Sequence, residues 1–241
     1  MRLDKLLANS GLGSRKDVKM ILKQGRVTVN HSITKNPKFH VHPNNDIIVV
    51  DGHDVQYAEF VYFMLNKPQG VISATQDLTQ RTVLDLIADS DKVKQLSPVG
   101  RLDKDTEGLL LLTNDGQLSH DLLSPKKHVN KIYYVELAAP LTATRIEQLT
   151  TGVQLDGGET TRPAQIEILD AANRSVYITI NEGKYHQVKR MFAAVDNRVT
   201  FLKRVSMGSL TLDLDLKPGE YRTLNQDELD KLLLLKEGYS D

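Results

Sequence analysis

The 241-residue chain contains no cysteine, which removes disulfides, thiolate nucleophiles and cysteine-ligated zinc together. It also lacks any stretch approaching the roughly 18 consecutive apolar residues that a membrane span requires. The N-terminal run MRLDKLLANSGLGS mixes charge into its start instead of presenting the apolar centre of a signal peptide. A cytoplasmic protein without membrane association is expected. Net charge is missing as well, since 31 Lys+Arg stand against 31 Asp+Glu, a balance that ordinarily argues against a polyanionic partner. What is present is enough apolar material, 40% of residues with 26% charged, for the core of one or two globular domains. Chemistry falls to carboxylates, His, Lys, Tyr or hydroxyls.

The zero sum conceals a segregation. Residues 1–42 hold 9 Lys+Arg and 2 Asp+Glu, a net of +7, which leaves −7 for the remainder. A basic module of this kind suits RNA phosphates, because local positive potential attracts the polyanion whatever the whole-chain total. Leu3, Leu6 and Leu7 recur at helical spacing until Gly11. Ser14 then caps a second predicted helix that ends near Gly25. On that helix Arg15, Lys19 and Lys23 fall four apart with Lys16 beside them, while Val18, Ile21 and Leu22 form a separate apolar face. Arg26–Asn30 and Asp46–Val50 read as strands. For an isolated helix, such a charged face would most simply be a solvated one.

The runs RLDKLLANSGLGSR at 2–15 and GRVTVN at 25–30 resemble the small S-four RNA-binding module. The resemblance implies RNA contacts through Arg2, Arg15, Lys16, Lys19, Lys23 and Arg26. It carries no catalytic implication. The apolar pattern lapses around His53–Glu59, so the expected division is a module at 1–58 and a second domain at 59–241. Beyond the boundary, strand-like runs (Phe60–Leu65, Leu109–Thr113, Ile132–Leu137, Ala164–Leu169, Val176–Ile180, Leu210–Leu214) interleave with helix-like ones (Thr82–Ala88, Gln117–Leu123, Thr142–Leu149, Tyr185–Val195). The absence of a regular strand–helix alternation predicts an α+β fold rather than a doubly wound sheet. A last helix begins at a capping box, Asn225 with Glu228, and is expected to end at Gly238.

The run most informative for chemistry is VGRLDKDTEGLLLLTNDG at 99–116. Leu109–Leu112 reads as a fully buried strand running into the Asn114–Gly116 turn, with Asp103 and Asp105 in the polar loop before it. A loop aspartate is usually a cap or turn former. Lys131-Ile-Tyr-Tyr-Val135 reads as a strand, and Val188, Met191, Phe192 and Val195 form the apolar face of a helix in EGKYHQVKRMF at 182–192.

Together with YFMLNKPQG at 62–70, these segments, in this order, resemble the motifs of pseudouridine synthases, and of the ribosomal small-subunit (RsuA) type in particular. The resemblance spans residues 60–208 and implies a catalytic domain built on a mixed, largely antiparallel sheet. It implies Asp103 as the essential carboxylate and Arg101 as a basic residue assisting base flipping. Tyr133 would be the aromatic that stacks on uracil, Lys189 the cation beside the carboxylate, and Arg190 a weaker candidate for substrate contact. The expected reaction converts a uridine of 16S ribosomal RNA to pseudouridine, in a monomer, with no cofactor and no metal.

These residue types suit that reaction. Isomerisation detaches uracil from C1′, rotates it and reattaches it through carbon without net redox change, so no electron carrier is needed. An anionic carboxylate can act on the sugar as a nucleophile at C1′ or as a base at C2′. A carboxylate kept ionised away from water needs a fixed cation nearby, and extruding a base from folded RNA costs a few kcal/mol that stacking and a basic side chain can offset. The rivals are a large-subunit (23S) rRNA synthase of the same family and a non-catalytic RNA-binding assembly factor. Binding alone would not require Asp103, Tyr133 and Lys189 together.

Overall fold

The computed structural model describes residues 1–43, 45–55, 57 and 59–237, with the side chains of 235–237 excepted. The chain divides into two compact units, one made of Met1–Val61 with Ala88–Leu96, the other of Tyr62–Ile87 with Ser97 onward.

In the first unit, α1 (Leu3–Asn9) and α2 (Arg15–Lys23) precede β1 (Val27–Val29), β2 (Ser32–Ile33), β3 (Ile48–Val50) and β4 (His53–Asp54). The strands form one antiparallel sheet in the order β2-β1-β3-β4. Ser14 and Asp17 close a reciprocal capping box that satisfies orphan amides at the start of α2. Gly25, at φ +73°, is the left-handed residue that lets the chain leave the helix. Leu3, Leu6 and Leu7 of α1 pack with Val18, Leu22, Val27, Val29, Ile48 and Val50. The core therefore occupies one face of each helix and leaves the opposite face of α2 to solvent.

The second unit holds a nine-stranded sheet. Its elements are β5 (Tyr62–Lys67), β6 (Ser97–Pro98), β7 (Glu107–Thr113), α3 (Gly116–Leu123), β8 (Lys131–Leu137), α4 (Ala143–Thr151), β9 (Gln165–Ile168), β10 (Ser175–Ile180), α5 (Gln187–Ala194), β11 (Val199–Met207), β12 (Leu210–Thr211), β13 (Tyr221–Thr223) and α6 (Gln226–Glu237). The order is β13-β5-β7-β11-β8-β10-β9, with β12 on β11 and β6 on β7. Every pairing is antiparallel except β7 with β11. This is the α+β, largely antiparallel arrangement expected from sequence. β5 is buried along its whole length and β7 in all but its first residue, which explains why their sequences are continuous apolar runs instead of alternating ones. β7 can lie against β11 only because position 108 is glycine. A Cβ there would fall 2.2 Å from the Arg204 carbonyl oxygen, and φ is +104°.

Two expectations are corrected, and one strand was not anticipated. Thr82–Ala88 is not an α-helix: a 3-10 turn at Val83–Leu86 follows the Thr82/Asp85 capping box and stops where Ile87 turns extended. The strand expected over Leu210–Leu214 is only Leu210–Thr211. The central strand β11 had no counterpart among the sequence predictions. The Asn225/Glu228 capping box is formed, with both reciprocal bonds at 2.9 Å. Gly238 lies outside the described residues. Among the described residues no helix is long and apolar enough to cross a membrane.

Candidate active site

Residues 101–106 connect β6 to β7 as an irregular loop, and the segment after β5 clasps it. The Lys67 side chain is fully buried at the end of β5. Its ammonium donates to the carbonyl oxygens of Asp103 and Thr106, both at 2.9 Å, and of Pro68 at 3.0 Å. The Ser73 hydroxyl donates to Leu102 O at 2.9 Å and accepts from Leu102 N at 3.0 Å. Gly70 N donates to Lys104 O at 2.8 Å, and Thr106 N closes the turn onto Asp103 O at 3.0 Å. Main-chain carbonyls that a loop would normally give to water are thus tied to the Asn-Lys-Pro-Gln-Gly segment. Burial pulls the Lys67 ammonium down from 10.5 to about 8, against the opposing pull of Asp103, Asp105 and Glu107.

With the backbone held this way, the Asp103 carboxylate meets two groups from the start of α5. Lys189 Nζ lies 3.0 Å from Asp103 Oδ2 and His186 Nε2 lies 3.3 Å from Asp103 Oδ1. Lys189 also bonds Asp105 Oδ1 at 2.5 Å, so one cation serves two carboxylates. Burial works against the charged form of Lys189, but its hydrogen bonds to Asp105 and Asp103 outweigh that and raise its pKa. The Lys189 hydrogen bond correspondingly holds the Asp105 carboxyl below its usual range. Lys189 reaches the loop because Val188, Met191 and Phe192 are buried and anchor the opposite side of the helix. The partly exposed lysine follows from this amphipathic register.

Of the residues singled out from sequence, Asp103 and Lys189 are therefore brought together. Arg190 instead turns toward the loop before β9, pairing with Asp156 at 2.5 Å and Glu159 at 3.6 Å. Arg101 is exposed at the start of the loop. Tyr133 is only 8% exposed and stands on the buried face of β8 with Ile178 and Arg204 as its cross-strand neighbours. A cavity of about 800 Å³ lies on the other face of these strands, lined in part by Ile132, Tyr134, Tyr177 and Phe201. The side-chain alternation of β8 puts Tyr133 on the opposite face from it. In the first unit Arg15, Lys16, Lys19 and Lys23 are exposed along α2. Arg2 is paired with Asp4 at 2.6 Å and Arg26 with Asp51. Among the described residues no group of three or more His, Cys, Asp or Glu could hold a metal ion.

Sequence reasoning missed Lys67, His186 and Ser73. Lys67 carried a signal, since a lysine ending a run as apolar as Phe-Met-Leu must have its charge satisfied internally. His186 and Ser73 carried none that spacing could reveal.

Comparison with known proteins gives the family of both units. Residues 61–194 match the family model described as RNA pseudouridylate synthase, and residues 1–47 match the S4 domain. An uncharacterized RNA pseudouridine synthase of Bacillus subtilis is 55% identical over 234 residues, covering 96% of this chain and 98% of the relative. Ribosomal small subunit pseudouridine synthase A of Escherichia coli K12 is 44% identical over 231 residues, covering 95% and 98% respectively. A crystal structure of a pseudouridylate synthase superposes with a TM-score of 0.67 at 41% identity, covering 96% of this chain and 99% of that one. With an S4 domain ahead of a catalytic domain matched across its loop, strand and helix, the chain belongs to the RNA pseudouridine synthases, which are isomerases.

Proposed function

We propose that this enzyme isomerises a uridine of 16S ribosomal RNA to pseudouridine, with Asp103 as its catalytic carboxylate. The observation that carries the assignment is the 3.0 Å ion pair between Asp103 and Lys189, 86 residues apart in sequence, on a loop whose backbone is tied down by Lys67. A carboxylate fixed in this way is pre-organised to act on the ribose, and both available routes, attack at C1′ and proton abstraction at C2′, need it anionic. Lys189 sets a cation directly against it. In this reading Tyr133 supports the uracil by stacking, Arg101 fills the space the flipped base vacates, and Arg190 contributes on the substrate side. The exposed cations of α2, Arg15, Lys16, Lys19 and Lys23, anchor RNA phosphates, aided by Arg2 and Arg26 at the edges of the module. The small-subunit target is supported by the 44% identity to the Escherichia coli enzyme, extending over nearly the whole of both chains.

Tritium release from 5-tritiated uridine in 16S and 23S transcripts tests the reading. Release is expected from the 16S transcript, and Asp103→Asn should abolish it while leaving RNA binding intact, because charge and basicity are lost with little change in volume. Substantial turnover by Asp103→Asn would refute the catalytic assignment. Release from 23S transcripts alone would move the enzyme to the large-subunit branch.

A further inference from the structure

We infer that Tyr185, stacked on His186, is a platform for a second nucleobase, the unpaired neighbour of the uridine under modification. The inference rests on the RNA-modifying reading above and adds to it a binding position. Tyr185 is the most exposed aromatic side chain among the described residues, at 71%. Exposed as it is, the ring has a stacking partner on one face. It lies against the His186 imidazole with ring centroids 3.8 Å apart and planes 19° from parallel. Its carbonyl accepts a bond from Arg190 Nη1 at 3.3 Å, and Arg190 is itself held by Asp156 and Glu159.

The second observation is the backbone of His186, which sits in the left-handed region at φ +47°, ψ +34°. A non-glycine residue is held there at a cost, and such strain clusters where it serves a site. Here it turns the imidazole so that its edge meets Asp103 Oδ1 at 3.3 Å while its face meets Tyr185. The outer face of Tyr185 is open, so a base laid upon it continues a stack of base, phenol and imidazole that ends at the catalytic carboxylate. Tyrosine accepts any base, because every base offers a π-face and stacking does not read hydrogen-bond edges. The ligand class is therefore a single-stranded or splayed nucleotide. Parking the neighbour there would hold the strand open while the target uridine occupies the site. It also gives Arg190 a role that pairing with Asp156 alone would not explain, that of bracing the platform from behind.

The experiment uses the full chain and a 16S rRNA transcript substituted with 4-thiouridine, irradiated in complex and digested for mass spectrometry, alongside single-turnover tritium release on unsubstituted transcript. A nucleotide adduct on Tyr185 is expected. Tyr185→Ala should weaken transcript binding by about 10-fold, and Tyr185→Phe, which keeps the ring, should restore it. Unchanged binding by Tyr185→Ala, or failure of Tyr185→Phe to restore binding, would overturn the platform whatever base the neighbour carries. Because the parent enzyme's own tritium release is read separately, a platform that fails in an active enzyme is distinguished from a protein that does not modify RNA at all.

Discussion

Replacing Lys67 by methionine separates the stability of the active-site loop from its alignment. The change preserves the stem and deletes the ammonium, so the carbonyls of Pro68, Asp103 and Thr106 lose their shared donor. The bond to Thr106 O is fully buried and the other two are partly so. Taking about 2 kcal/mol for the buried acceptor and about 1 for each of the others gives ~4 kcal/mol of lost satisfaction. Against this, a pKa near 8 in place of 10.5 means that burying the charged form costs about 3 kcal/mol at neutral pH, and methionine does not bear that cost. The net destabilisation at pH 7 is therefore only about 1 kcal/mol.

The pH dependence has a definite sign. Between pH 8 and 10.5 the unfolded chain still binds the Lys67 proton while the folded one has released it. Parent stability from this group therefore rises with pH and is lost again as pH falls through 8. By pH 9.5 the parent should have gained about 2 kcal/mol relative to Lys67→Met, opening the gap to about 3. Urea unfolding of both proteins at pH 7 and 9.5 measures this, since other titrating groups cancel in the difference. The catalytic effect should exceed the neutral-pH stability effect, because freeing the Asp103 carbonyl lets the carboxylate wander: kcat should fall at least 10-fold with RNA affinity unchanged. A stability gap that does not change with pH, or a Lys67→Met enzyme turning over at the parental rate, would refute the reasoning.

Lys189→Met should reduce turnover by about 10- to 100-fold, as removal of a charge-assisted bond to each of two carboxylates implies, whereas Lys189→Arg should retain much of the activity because the charge persists. If Lys189 were merely a surface residue, single-turnover tritium release would find both variants equal to the parent. Neutralising Lys16, Lys19 and Lys23 together with glutamine should weaken binding to 16S transcript and flatten the plot of log affinity against log salt, by up to about 0.9 for each phosphate that is no longer neutralised. A filter-binding salt titration with an unchanged slope would remove α2 from the RNA interface. Gly108→Ala should destabilise the catalytic domain by more than about 3 kcal/mol in denaturant unfolding, because the Arg204 backbone, unlike a flexible side-chain end, cannot give way.

Elements whose physical cause is local could be read from the sequence. The second helix was marked by Ser14 as its cap, by Gly25 at its end and by the apolar face of Val18, Ile21 and Leu22, all of them local features of one short stretch of chain. β7 was marked because a strand buried on both faces must be apolar at every position, and Leu109–Leu112 is. β11 failed for the complementary reason. It carries Lys203 and Arg204 at its centre, and a buried arginine reads as a break in any strand pattern. Its place is secured by partners distant in sequence: β7 and β8 on either side, and a bond from Arg204 Nε to Leu109 O at 2.8 Å. The 3-10 turn at Val83–Leu86 was misjudged because its cap is local while the event that ends it, the extended turn at Ile87, is not.

The site divides along the same line. Asp103 and Lys189 could be singled out because their surroundings in sequence resemble known motifs, whereas the apolar helix register alone left Lys189 facing solvent. Lys67 and His186 act through the backbone: one by collecting carbonyls from residues 36 and 39 positions away, the other by a left-handed conformation that its side-chain identity does not announce. Residues proposed to act on substrate are constrained in chemistry, so a motif of fixed residue types points to them. Residues that hold those groups in place are constrained in geometry, and many types can satisfy a geometry. A lysine at the end of a buried strand is the exception that could have been caught, since an internal ammonium without acceptors would destabilise the fold by several kcal/mol. Its acceptors are the carbonyls of Pro68, in the turn that follows it, and of Asp103 and Thr106, in the loop that carries the carboxylate.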